Sequence, residues 1–127
     1  MFSSPIAAYQ QVGLESEVIG ADPHQLIVLL FDGADSALTR ALDLLAKGDF
    51  KGKSDALTHA TNIIMDGLCA SLNLAEGGEL AEKLSALYQY MATRLVYANA
   101  NRDANAIIEV QQLLNEIGGA WREIKHT

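Results

Sequence analysis

Residues 22–48 read DPHQLIVLLFDGADSALTRALDLLAKG, and the reading of this stretch decides the fold class. Asp22 suits an N-cap, because its carboxylate can accept from a first-turn N–H that lacks a helical partner. Pro23 suits the first helical position, where a missing N–H costs nothing, and Gln25 stands where a capping-box partner belongs. Two apolar rows then advance by threes and fours: Leu26, Leu30, Gly33, Ala37, Ala41, Leu44, and Ile27, Phe31, Leu38, Leu42, Leu45. Asp32, Asp35, Ser36, Thr39 and Asp43 fall outside those rows. That period is a helix with one buried face. Gly48 follows as a left-handed residue that ends it.

Working outward, Asp49 caps a second helix, expected over about 50–74. Leu57, Ile64, Leu68 and Ala75 form one row, and Ala56, Ala60, Ile63, Gly67, Ala70 and Leu74 form another. Met65, Cys69 and Leu72 add a third apolar edge, so this helix is apolar over more of its circumference than one core needs. Gly77-Gly78 marks a break, and a third helix over about 79–99 carries Leu80, Leu84, Leu87, Met91, Leu95 and Ala98. Asp103 caps a fourth, over about 103–124, with a seam of Ile107, Val110, Leu114, Ile117, Trp121 and Ile124. Gly118-Gly119 within it costs ~1 kcal/mol per glycine in helix propensity, so that turn is expected to bend or fray. Short connections between long helices predict antiparallel neighbours. The expected fold is all-α: an antiparallel up-down-up-down four-helix bundle over 21–127. Residues 1–20 are expected to be a mobile N-terminal arm, with Phe2, Ile6, Tyr9 and Val12 spaced to make one apolar face.

Bulk properties narrow the function. A chain of 127 residues, half of them hydrophobic, is long enough for one domain with a sizeable core. Its formal charge is −7, from 9 Lys plus Arg against 16 Asp plus Glu. The bases are scattered from Arg40 to Lys125, so no basic stripe is present to displace counterions from nucleic acid or to hold an anionic membrane. The longest fully apolar run, Leu26 to Phe31, is far short of a membrane span. No residue before Arg40 is basic, so no secretion signal is expected. The lone Cys69 has no internal disulfide partner, which fits a reducing cytoplasm.

Site chemistry is sparse. His24, His59 and His126 fall in different elements, no Glu-x-x-His pair occurs, and Cys69 has no partner at zinc spacing, so neither a metal nor a cofactor is expected. His59 lies on the second helix, where histidine phosphotransfer bundles carry their nucleophile. In those domains a lysine and a glycine follow within about a turn, whereas Ala60-Thr61-Asn62-Ile63 follow here. A solvated surface histidine is the better reading, with phosphotransfer through His59 kept as the alternative. The unexplained features are apolar. Small residues at Ala56, Ala60, Gly67 and Ala70 make either a close helix contact inside the bundle or a shallow groove for an incoming amphipathic helix. Met65 and Met91 suit an adaptable apolar surface or simple core filling.

Several ordered blocks make the chain recognisable. Asp22-Pro23 with Leu26 precedes Leu30-Phe31-Asp32-Gly33-Ala34, and Gly48-Asp49 forms the first turn. Ser71-Leu72-Asn73, Gly77-Gly78-Glu79-Leu80-Ala81 and Leu87-Tyr88-Gln89-Tyr90-Met91 follow, then Ala98-Asn99, Asp103, Glu109-Val110 and Ala120-Trp121. In this order and at these intervals they resemble the flagellin export chaperone family, FliS, along nearly the whole chain. Phe31 stands where that family commonly has tyrosine, and Asn73 where it commonly has aspartate.

The resemblance implies a cytoplasmic export chaperone, not an enzyme, whose partner is the disordered C-terminal segment of newly made flagellin. Holding that segment prevents premature polymerisation and delivers the subunit to a component of the flagellar type III export gate. The expected flagellin-binding groove comprises Ile63, Gly67, Ala70, Leu74, Leu80, Leu84, Tyr88 and Met91. Ile6 and Tyr9 match an apolar residue and a tyrosine that in the family cover part of the groove. An exposed groove and a free arm also lead to an expectation of homodimers when no partner is bound.

Overall fold

The computed structural model describes residues 22–124, which form a helical bundle of four helices with no strand among them. Helix α1 spans Pro23–Ala46 and α2 spans Phe50–Asn62, continuing without interruption into a π-helical stretch, Ile63–Cys69. Helix α3 spans Leu74–Asn101 and α4 spans Ala104–Glu123.

Each α-helix begins at an Asp or Asn whose side chain accepts from the N–H three residues on. Asp22 accepts from Gln25 at 2.8 Å, Asp49 from Gly52 at 2.9 Å, Asn73 from Glu76 at 3.1 Å and Asp103 from Ala106 at 3.2 Å. Such a cap contributes about 1 kcal/mol by satisfying one orphan donor. The cap at Asn73 explains why α3 starts at Leu74, ahead of the Gly77-Gly78 pair. The glycines produce a kink inside the helix instead of a gap before it, with Gly78 at φ 55°, ψ −134°. At the other end, Gly48 takes φ 78° after α1. Arg102 takes φ 50° after α3, an unusual conformation for a residue with a side chain. Its guanidinium lies 3.6 Å from the Phe50 ring centroid, so a cation–π contact across the bundle end holds the residue that makes the turn.

Hydrogen bonds between helices establish their directions. Lys53 near the start of α2 donates to the Asn99 carbonyl (2.9 Å) and Oδ1 (2.6 Å) near the end of α3, while Cys69 after α2 meets Ser85 in the first half of α3. Helices α2 and α3 are therefore antiparallel. His24 and Trp121 join the start of α1 to the end of α4, and Gln111 reaches Asp35 and Thr39, so α1 and α4 are antiparallel too.

The core joins all four helices through Leu30, Leu38, Leu57, Ile64, Leu95 and Ile107. Alanines 34, 41, 60, 98 and 106 are fully buried and allow close approach of the backbones. Helix α4 continues past Gly118-Gly119 without fraying. Gly118 is buried, and a Cβ there would lie 3.0 Å from the Phe31 ring, so its small size serves a close helix contact. Lys53 is 2% exposed. Burial, and then the nearby Arg102 charge, hold its ammonium below the usual lysine range. Between α3 and α4, Arg94 Nε donates to Glu109 at 2.9 Å and the Tyr90 hydroxyl donates to the other carboxylate oxygen. The Tyr90 bond first, and Arg94 with it, hold the Glu109 carboxyl below its ordinary range.

Candidate functional site

At one end of the bundle the four helices separate around an apolar cavity of about 600 Å³. Ile27 and Phe31 face it from α1. Leu68, Ser71, Leu72 and Asn73 bring in the end of the π-helical stretch and the turn after it, and Leu80, Ala81, Leu84 and Tyr88 come from α3. Helix α4 closes the ring with Glu116, Ile117, Ala120, Trp121 and Ile124.

Local backbone chemistry opens this end. A π-turn takes one more residue than an α-turn, so side chains beyond it leave the α-helical register. The wider turn is visible in the bond from Ala70 N to Met65 O, and the Ser71 hydroxyl donates to the Gly67 carbonyl at 2.6 Å to close it. The Gly78 kink then redirects the first turn of α3, where Gly77 and Ala81 present little bulk. On the opposite wall the rings of His24 and Trp121 stack with centroids 5.0 Å apart. His24 Nε2 donates to the Trp121 carbonyl at 2.8 Å and Trp121 Nε1 donates to the His24 carbonyl at 3.1 Å. This reciprocal clamp, with the Arg122–Asp32 ion pair beside it, holds α1 against α4 while leaving the indole at the cavity.

The residues expected from the sequence divide into distinct environments. Tyr88, 3% exposed, and half-buried Leu84 line the cavity, and Leu80 stands at its mouth with 67% of its surface exposed. Ile63 and Met91 are fully buried within the bundle, and Gly67 is buried in the π-helical stretch. Ala70 and Leu74 are exposed and neither lines the cavity. Ile6 and Tyr9 lie outside the described residues. The α-helical row from Ala56 to Leu74 assumes one unbroken 3.6-residue period, and the π-turns end that period at Ile63. Sequence reasoning passed over the contributions of α1 and α4. Their signal was present: Trp121 is a large aromatic residue near the end of α4, and Ile117, Trp121 and Ile124 extend the α4 seam beyond the core.

The cavity's chemistry is that of a binding surface. Its walls are almost wholly apolar, and burial, with Cys69 nearby, pushes the Tyr88 hydroxyl up to about 12. Tyr88 therefore keeps its proton further into alkali than a free tyrosine does. Among the described residues no three His, Cys, Asp or Glu side chains are placed to hold a metal. His59 lies on α2 away from the cavity, its imidazole lowered by burial and then by the Arg40 charge. No helix among the described residues is long and apolar enough to cross a membrane.

Comparison with known proteins follows from the same sequence. A family model described as "Flagellar protein FliS" matches residues 5–127. The flagellar secretion chaperone FliS of Salmonella typhimurium is 53% identical over 122 residues, covering 96% of this chain and 90% of that protein. The protein of the same name in Escherichia coli is 44% identical, covering 91% and 85%. In Bacillus subtilis the identity is 30%, covering 94% and 85%. A match over nearly the whole chain, at identities up to one residue in two, leaves no doubt of common ancestry: the chain belongs to the FliS family of flagellar proteins.

Proposed function

We propose that this protein is a cytoplasmic export chaperone that holds the C-terminal segment of flagellin, keeps it from polymerising and presents it to a component of the flagellar export gate. The observation that carries the reading is the open apolar cavity between the ends of all four helices, in a chain whose relatives are named flagellar secretion chaperones. An apolar surface of this kind on a folded domain marks a binding site. Leu80 and Leu84 at the mouth and wall, with Tyr88 beneath them, would anchor one face of an amphipathic helix formed by the partner. Ile63, Gly67 and Met91 would act from behind, as the packed support that holds those anchors in place. Ala70 and Leu74, exposed beside the cavity, would extend the surface for a longer wrapped segment.

Catalysis has no part in this reading. In the free protein, Ile6 and Tyr9 of the leader would shield the apolar surface until the partner displaces them. The test is calorimetric titration of the full chain with the C-terminal segment of its cognate flagellin. One-to-one binding with a negative heat-capacity change is expected, because apolar burial is coupled to folding of the segment. A folded protein that takes up no such segment would sink the flagellin assignment.

A further inference from the structure

The segments that supply the cavity's walls are acidic, and Glu116 is the one carboxylate that lines it. Residues 22–32, 68–88 and 116–124, the turns that form its walls, carry seven carboxylates and two cations. The remaining described residues, 33–67 and 89–115, carry seven carboxylates and six cations. Among the described residues, the two cations of these segments are already engaged: Lys83 with Glu79 at 2.8 Å and Arg122 with Asp32. Glu82, Glu116 and Glu123 have no ion-pair partner among the described residues, and Glu116 itself lines the mouth.

We infer that the segment this cavity accepts is an amphipathic polypeptide with Lys or Arg flanking its apolar anchors, one of them placed to meet Glu116. The inference rests on reading the cavity as a polypeptide groove and adds the chemistry that selects its occupant. Apolar walls supply affinity without discrimination, whereas acidic surroundings reject acidic segments and speed the approach of basic ones. Two other occupants are disfavoured by the same charge. A second copy would bring equally acidic segments against these. The leader, residues 1–21, contains Glu15 and Glu17 and no Lys, Arg or His, so it is a poor electrostatic match and readily displaced.

Three synthetic peptides test the inference on the full chain. All share leucines at i, i+3, i+4 and i+7 and differ only in carrying Lys, Gln or Glu at the flanking positions. By fluorescence anisotropy at low salt, the Lys peptide should bind tightest and the Glu peptide weakest, with about ten-fold between them. The spread should shrink as salt shortens the Debye length. Glu116→Gln should remove about three-fold of the Lys peptide's advantage, and Glu116→Lys should remove more, with unchanged thermal melting in both. A Gln peptide that binds as well as the Lys peptide, a ranking indifferent to both Glu116 variants, or no binding by any peptide would each overturn the proposal. Dimers of the free chain that Leu80→Ser dissociates would assign the face to a second copy. Peptides that bind only to the Ile6→Ala/Tyr9→Ala variant would assign it to the leader. The chaperone reading is judged separately: flagellin bound with an affinity indifferent to salt would leave that reading standing and refute this one.

Discussion

Leu80 and Met91 lie on the same apolar row of α3, and only their surroundings distinguish them. Leu80 is 67% exposed at the mouth of the cavity, whereas Met91 is fully buried in the bundle. Full burial of a leucine is worth about 1.5–3 kcal/mol, so covering the exposed two-thirds of Leu80 should contribute about 1–2 kcal/mol to partner binding. Leu80→Ala should therefore weaken binding of the flagellin C-terminal segment by about 5–30-fold. Its unfolding free energy should move by no more than about 0.5 kcal/mol, because little is buried there in the free protein. Met91→Ala should do the reverse. The cavity left in the core should cost about 2–5 kcal/mol of stability, while molecules that remain folded bind with nearly unchanged affinity. Guanidinium unfolding followed by intrinsic fluorescence measures the first quantity and calorimetric titration the second. Leu80→Ala that destabilises the fold by 2 kcal/mol or more, or that binds like the wild type, would refute the division into mouth and core.

The buried ionisable groups should respond to alkali with opposite signs. Tyr88, raised from 10.0 to about 12, keeps its proton longer folded than unfolded, so the stability it contributes below pH 10 is lost as pH rises through 12. That loss amounts to about 2–3 kcal/mol, and Tyr88→Phe should abolish it in unfolding midpoints measured across that range. Lys53, lowered from 10.5, sheds its proton earlier folded than unfolded, so its contribution to stability rises between its folded pKa and 10.5. Lys53→Met should remove that rise in the same series. At Gly118 a Cβ would press on the Phe31 ring, so Gly118→Ala should lose about 1–3 kcal/mol to overpacking in thermal unfolding, despite alanine's better helix propensity.

Much of the fold could be read because its determinants are local. A cap such as Asp22 bonding to Gln25, or Asp103 to Ala106, involves residues three apart. An apolar row likewise records which side of a helix turns from water, wherever the helix finally packs. The ordered blocks from Asp22-Pro23 to Ala120-Trp121 pointed to the family for a related reason: they record residues at intervals, which need no coordinates.

The site was only half legible, and the cause is geometric. Leu80, Leu84 and Tyr88 share a row with Met91, and a helical wheel says that they lie on one side without saying where the neighbouring helices end. Tertiary packing decides that Met91 meets the core and Leu80 meets water. It also decides that Ile27, Phe31 and Trp121, far apart in sequence, converge on one cavity through the clamp between His24 and Trp121, 97 positions apart. The π-helical stretch could not be anticipated either, since no residue type demands it and its wider turns persist only where surrounding packing compensates for them. Sequence alone determined that there are four helices, the caps at Asp22, Asp49 and Asp103, and the family, because those depend on neighbours along the chain. Which apolar residues became core and which became the walls of an open cavity was decided by the tertiary structure, because burial is a property of residues brought together from all four helices.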